Sequence, residues 1–141
     1  MTIKEIQNEI IDEFSMFDDW MQRYEYIIEL GKSLPLIKEE YKTDENLIKG
    51  CQSKVWLQGE QKDDKIVFTA DSDAILTKGI IAILIRAFSN QKAEDIINAD
   101  TDFIDEIGLK EHLSATRANG LVSMIKNIKM YALAFDAKNK N

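Results

Sequence analysis

Residues 54–70 read KVWLQGEQKDDKIVFTA, and residues 71–88 continue as DSDAILTKGIIAILIRAF. In the first stretch, KVWLQGE and KIVFTA are short runs rich in branched and aromatic residues, separated by the polar QKDD. That pattern predicts two antiparallel strands joined by a loose turn. In the second stretch the residues from Ile80 to Ile85 are apolar nearly all round a helix, which places that helix at the centre of the molecule. Ser72 or Asp73 stands where an N-cap residue would be. Helices packed around a small antiparallel β-sheet give an α+β domain.

The rest of the chain supplies the other helices. Ile3, Ile6, Ile10, Phe14 and Phe17 recur at three- and four-residue steps, which predicts a helix from Thr2 to about Phe17. Thr2 with Glu5 fits a capping box. Asp19 with Gln22 is placed to cap a second helix, whose Trp20, Tyr24, Ile27 and Ile28 share a face and which stops near Gly31. SLPLIKEEYKTDENLIKG, residues 33–50, holds the only proline and is expected to be irregular and exposed in its middle. KAEDIINA and TDFIDEIG read as two short helices. The last long helix starts near Thr116 and carries Leu121, Met124, Ile125, Ile128 and Tyr131 on one face. With no internal repeat or linker, residues 1–141 are expected to form a single domain.

Composition narrows the function. The chain has 141 residues, 45 % of them apolar and 30 % charged, as in an ordinary globular protein. Its net charge of −7, with Lys and Arg scattered among the acids, disfavours nucleic acid as a partner, because phosphate contacts need a clustered basic face. The first residues lack the continuous apolar core of a secretory signal. The most apolar run, Gly79 to Ile85, is far too short to span a bilayer, so a cytoplasmic protein without a membrane partner is expected. A single cysteine, Cys51, allows no intramolecular disulfide and no thiolate-rich metal or iron–sulfur site within the chain. A single histidine, His112, allows no His-rich metal centre. Any chemistry therefore falls to Cys51 or to carboxylates.

Cys51 lies in KGCQSKVW, residues 49–56, between a glycine and a polar run. A free cysteine commonly serves as a small buried hydrophobe. Here Gly50 leaves room for backbone or a partner near the sulfur, and Gln52, Ser53 and Lys54 suggest a loop tip or strand entry. Packing and function both stay open on these residues. Lys49 and Lys54 are the cations nearest in sequence that would favour the thiolate. His112, in LKEHLSATR, is expected to be an ordinary surface or helix-start histidine, so no Cys–His dyad is assigned and a cysteine hydrolase finds little support. Asp71 and Asp73 offer two carboxylates, for which helix capping is the more economical account. Arg117 reads as a solvated arginine by default, and Gly120, early in the last helix, implies that something packs closely against it.

Four motifs then occur in a recognisable order: YIIELGKSLP (Tyr26 to Pro35), GCQSKVW (Gly50 to Trp56), DSDAILTKGIIAIL (Asp71 to Leu84) and LSATRANGLVSM (Leu113 to Met124). Together they resemble the SufE family of sulfur acceptors over roughly Trp20 to Met130. Ala115 stands where many relatives have proline, which loosens the expected helix start. The resemblance implies the fold shared with IscU-type scaffold proteins, consistent with the α+β reading. It implies a sulfur carrier, with no cofactor of its own, that takes persulfide sulfur from a SufS-type cysteine desulfurase onto Cys51 and relays it to a downstream iron–sulfur scaffold. Cys51 maps onto the acceptor cysteine, while Gly50, Gln52, Asp71, Ser72, Asp73 and Arg117 are expected to support its loop or meet the partner. The exchange would be of the thiol–disulfide kind, and the lack of a second cysteine leaves no resolving thiol to expel the sulfur. Two other readings stand beside it: a non-catalytic binding module with a structural cysteine, and an IscU-like scaffold, which a single cysteine per chain disfavours.

Overall fold

The two runs at residues 54–70 pair as expected in a computed structural model of the chain that describes residues 1–140. Strand β1 (Val55–Lys62) lies antiparallel to β2 (Lys65–Ser72), with Val55 opposite Ser72 and Lys62 opposite Lys65. The turn is tighter than the polar QKDD run suggests, because Gln61 and Lys62 remain in the strand and only Asp63 and Asp64 turn. Asp63 adopts φ +58°, a region that Asp reaches more readily than most side chains. A third strand, β3 (Gln91–Lys92), adds to the start of β2, giving the order β1-β2-β3. Two residues carry no alternation, so this strand leaves no sequence signal.

The helices are α1 (Ile3–Ser15), α2 (Trp20–Gly31), α3 (Ile75–Phe88), α4 (Ala93–Asn98), α5 (Asp102–Glu106), α6 (Leu109–His112) and α7 (Ala115–Asn139). The capping box of Thr2 and Glu5 forms at α1, and Asp19 Oδ1 accepts from the Gln22 N–H at α2. Helix α7 starts at Ala115, with Ser114 Oγ accepting from the Arg117 N–H, so the alanine occupies a first-turn position that would equally suit proline. The short helix α6 separates from α5 at Gly108, a division that the sequence pattern does not predict. Residues 33–50 contain two single 3-10 turns, Glu39–Tyr41 and Asp44–Asn46, and are tied to the sheet at both ends. The Ala70 N–H donates to Pro35 O and the Ile37 N–H to Ala70 O, while the Ile48 N–H donates to Val55 O.

Helix α3 is the centre of the molecule, with 11 of its 14 residues buried. At about 1.5–3 kcal/mol for each large side chain fully removed from water, it contributes more to the core than any amphipathic helix here. Packed around it are α1, α2, α7 and β2. The crossing with α2 is close enough that a Cβ on Gly79 would stand 2.1 Å from Ile27 O, so only glycine fits there. Arg86 of α3 binds Glu9 and Glu13 of α1, and Tyr26 of α2 donates to the same Glu13. The inner face of the sheet supplies Val55, Leu57, Ile66, Phe68 and Ala70. Among the described residues, no helix is long and apolar enough to cross a membrane.

The expectation that Ser72 or Asp73 caps α3 is not met. The N-cap is Ala74, in extended conformation and without a side-chain capping bond. Strand β2 runs through Ser72, which commits these residues to the strand end and corner instead. Ser72 Oγ accepts from the Ala74 N–H at 3.3 Å, and Asp73 turns toward the cysteine loop.

Candidate functional site

Residues 49–54 form a loop between the buried Ile48 and the start of β1. Its base is closed by backbone. The Ile48 N–H donates to Val55 O at 2.8 Å, and the Asp73 N–H donates to Lys54 O at 3.2 Å. The Lys54 N–H in turn donates to Asp73 Oδ1 at 3.0 Å. Asp73 thus extends the hairpin by one pair and fixes where the loop enters the sheet. Asp71 lies opposite Trp56 and receives Lys42 Nζ at 2.6 Å and Lys78 Nζ at 3.5 Å. Burial pushes its carboxyl pKa up, but Lys42, the Ser72 N–H and Lys78 outweigh this and hold it below the ordinary carboxylate range. Lys42 also sits 5.6 Å over the Trp56 ring. Asp71 therefore fastens the 33–50 segment and α3 to β2, opposite the start of the strand that follows the cysteine loop.

The two glycines around the cysteine have definite steric roles. Gly50 has φ +93°, outside the range that side chains adopt readily, and a Cβ there would meet Ser123 Oγ of α7 at 2.6 Å. The glycine lets the loop turn and lie against α7, a close approach within the chain that is one of the two readings its lack of a side chain allowed. Gly120 meets the expectation of a close neighbour, and the neighbour is Cys51. A Cβ on Gly120 would lie 3.4 Å from Cys51 Sγ. The thiol donates to Gly120 O at 3.7 Å, a long but sulfur-compatible hydrogen bond.

Cys51 is half-buried against α7 and not at an exposed tip. Burial pushes its thiol pKa up, and neither Lys49 nor Lys54 counters that. Burial thus disfavours the thiolate, and the lysines of its own loop do not offset this.

A cleft of about 40 Å³ opens beside the sulfur, lined by Cys51, Gln52, Thr77, Arg117, Gly120 and Met124 among others. Of the residues singled out in the sequence, Cys51, Gln52 and Arg117 share this cleft, whereas Gly50, Asp71, Ser72 and Asp73 hold its surroundings in place. Arg117 is exposed at the start of α7, and its Nη1 donates to the Tyr24 hydroxyl at 3.4 Å. His112 is a surface histidine, as expected, at the end of α6; it stacks on Trp20 at 4.2 Å and does not line the cleft, so no Cys–His dyad forms. Thr77, buried in the first turn of α3, is a cleft residue that the sequence reading misses. A threonine on the buried side of the ILTKGIIAIL run, beside Lys78, is the available signal. Among the described residues no cluster of three or more His, Cys, Asp or Glu side chains is placed to hold a metal.

The chain is similar in sequence and in fold to known proteins. An uncharacterized SufE-like protein of Rhizobium meliloti is 45 % identical over 130 residues, covering 89 % of this chain and 93 % of its own. A second, from Rhizobium etli, is 43 % identical over 127 residues, covering 86 % of each. The chloroplastic and mitochondrial SufE-like protein 1 of Arabidopsis thaliana is 34 % identical over 133 residues, and the match spans 94 % of this chain but 36 % of that longer protein. In fold, the chain matches the solution structure of a hypothetical protein from Thermus thermophilus with a TM-score of 0.76 at 14 % identity, covering 92 % and 94 % of the two chains. The SufE family, described as an Fe-S metabolism associated domain, matches residues 8–132, and this chain belongs to it.

Proposed function

We propose that the chain is a sulfur acceptor: Cys51 takes the outer sulfur of a persulfide carried by a SufS-type cysteine desulfurase and relays it to an iron–sulfur scaffold. The observation that carries this reading is the placement of the one thiol beside a small cleft, in a loop whose base is clamped by Asp73 and the sheet. The step is a displacement at sulfur. The Cys51 thiolate attacks the outer sulfur of the donor persulfide, a new S–S bond forms to Sγ, the donor's S–S bond breaks, and the electron pair leaves with the donor thiolate. No external oxidant or reductant enters, and no second cysteine is present to release the sulfur as sulfide.

The geometry sets two requirements on the partner. Burial disfavours the thiolate and the sulfur is bonded to Gly120 O, so docking has to favour the thiolate and bring the loop away from Gly120 for in-line attack. Gln52, Arg117 and the Asp71–Asp73 corner surround the loop and are the surface on which such docking would act. The test is desulfurase turnover. Addition of the wild-type chain should stimulate release of alanine from cysteine, and the Cys51→Ser variant, correctly folded, should not. Equal stimulation by both would remove Cys51 from the reaction.

The burial of Cys51 and its bond to Gly120 O also favour a second reading, in which the cysteine only packs. That reading predicts a native thiol inert to alkylation with or without desulfurase, and a loss of stability when Cys51 is replaced.

A further inference from the structure

The cleft beside Cys51 is lined by Ile80 and Met124 and by three hydroxyl residues, Ser53, Thr77 and Thr116, of which Thr77 is the buried one. Thr77 is only 7 % exposed and lines this cleft. Its hydroxyl has no hydrogen-bond partner among the described residues, neither the carbonyl one turn back nor the thiol, which instead donates to Gly120 O. Buried hydroxyls are almost always partnered, and no fully enclosed side-chain oxygen or nitrogen of the described residues lacks a partner. With Thr77 lining the cleft and otherwise packed, the cleft is the open space to which its unpartnered hydroxyl has access. That space is about 40 Å³, on the order of three water-sized positions, enough for one added sulfur atom and not for a larger group.

We propose that the Thr77 hydroxyl is the hydrogen-bond donor to the outer sulfur of a Cys51 persulfide held in this cleft, with the Arg117 guanidinium as its charged neighbour. The inference rests on the sulfur-acceptor reading of Cys51. When sulfur is transferred, the bond from Cys51 Sγ to the outer sulfur forms as the donor's S–S bond breaks, and the electron pair leaves on the donor thiolate. The outer sulfur keeps its proton through the transfer and then loses it to solvent, since a persulfide is a stronger acid than a thiol. A negative charge is left on the terminal sulfur in a site with little water. A donated O–H and the charge of Arg117, a residue lining the same cleft, favour that anion over its protonated form. Among the side chains lining the cleft from the loop, from α3 and from α7, Arg117 is the charged one.

Thr77→Val keeps the shape and removes the donor, whereas Thr77→Ser keeps the donor. Wild type and both variants are incubated with a SufS-type desulfurase and cysteine. Reaction of the loaded Cys51 with iodoacetamide is then followed by intact mass across the pH range in which thiols and persulfides ionise. The unloaded thiol is titrated in parallel. In Thr77→Val the half-reaction pH of the persulfide should rise by about one unit, roughly a tenfold change in acid constant, as expected for losing one hydrogen bond to a charged group. Thr77→Ser should restore the wild-type profile, and the unloaded thiol should titrate alike in all three. Coincident persulfide profiles for Thr77→Val and wild type would overturn the proposal and leave the acceptor reading intact. Equal shifts in the loaded and unloaded protein would reduce Thr77 to packing and also overturn it. A wild-type chain that takes up no sulfur would instead remove the acceptor reading itself. If the valine variant does not fold, Thr77→Ala provides the same comparison.

Discussion

Gly50→Ala tests whether the cysteine loop is held down against α7 by backbone geometry. Two costs arise at this position. With φ at +93° an alanine would sit beyond the left-handed well that L-residues use, and such a conformation costs about 1–3 kcal/mol. The new Cβ would also stand 2.6 Å from Ser123 Oγ. That oxygen ends a short side chain that can rotate, so the clash adds less than the backbone strain. A total near 2 kcal/mol corresponds to a melting temperature lower by about 4–8 °C for a chain of this size. Ser123→Ala alone should be close to neutral, and the double variant should recover only the clash. Because the strain is relieved by lifting the loop off α7, Cys51 should be alkylated faster in Gly50→Ala than in wild type. Thermal melting of the four proteins and timed alkylation with mass detection decide the matter. A Gly50→Ala protein that melts within about 1 °C of wild type and reacts at the same rate would refute the loop-clamp reasoning.

Other outcomes follow from the same geometry. Gly120→Ala should stabilise the chain by up to about 1 kcal/mol, because the added Cβ would lie at an ordinary 3.4 Å from Cys51 Sγ; a lowered melting temperature would contradict this. In the free protein the alkylation rate of Cys51 should reach its half-maximum above the ordinary thiol value of about 8.5, because burial pushes the thiol pKa up. Addition of a SufS-type desulfurase should move that midpoint down if the partner supplies the activation. Asp71 has a folded-state pKa below its unfolded value, so it contributes stability above about pH 3.9 that is lost as pH falls through the folded pKa. Melting temperature followed from neutral to acid pH should fall less steeply in Asp71→Asn, from a lower starting value.

How much of this is legible in the sequence depends on the range of the signal. The hairpin and α3 can be read because alternation in VWLQ and IVFTA, and apolarity all round from Ile80 to Ile85, are local properties. Gly120 points to a neighbour for the same reason, since glycine is costly in a helix, although a Cβ would still fit beside that neighbour. The identity of that neighbour is not local: Cys51 lies 69 residues away. The clamp of Asp73 on the Lys54 N–H depends on hairpin register across 19 residues, which is why Asp73 reads as a helix cap. The positive φ of Gly50 and the unpartnered hydroxyl of Thr77 are set by the packing of the loop, α3 and α7, and neither residue type specifies that alone. The family motifs locate Cys51, Gln52 and Arg117, and the structure brings all three to one cleft.

The central claim, that Cys51 receives a sulfur atom, is tested most directly by the mass of this one residue. After incubation with a SufS-type desulfurase and cysteine, the peptide carrying Cys51 should gain about 32 Da, one sulfur as in a persulfide. The gain should disappear on treatment with a reductant and never form in Cys51→Ser. An unmodified Cys51 under conditions in which the desulfurase turns over, or an equal gain in the serine variant, would contradict the account.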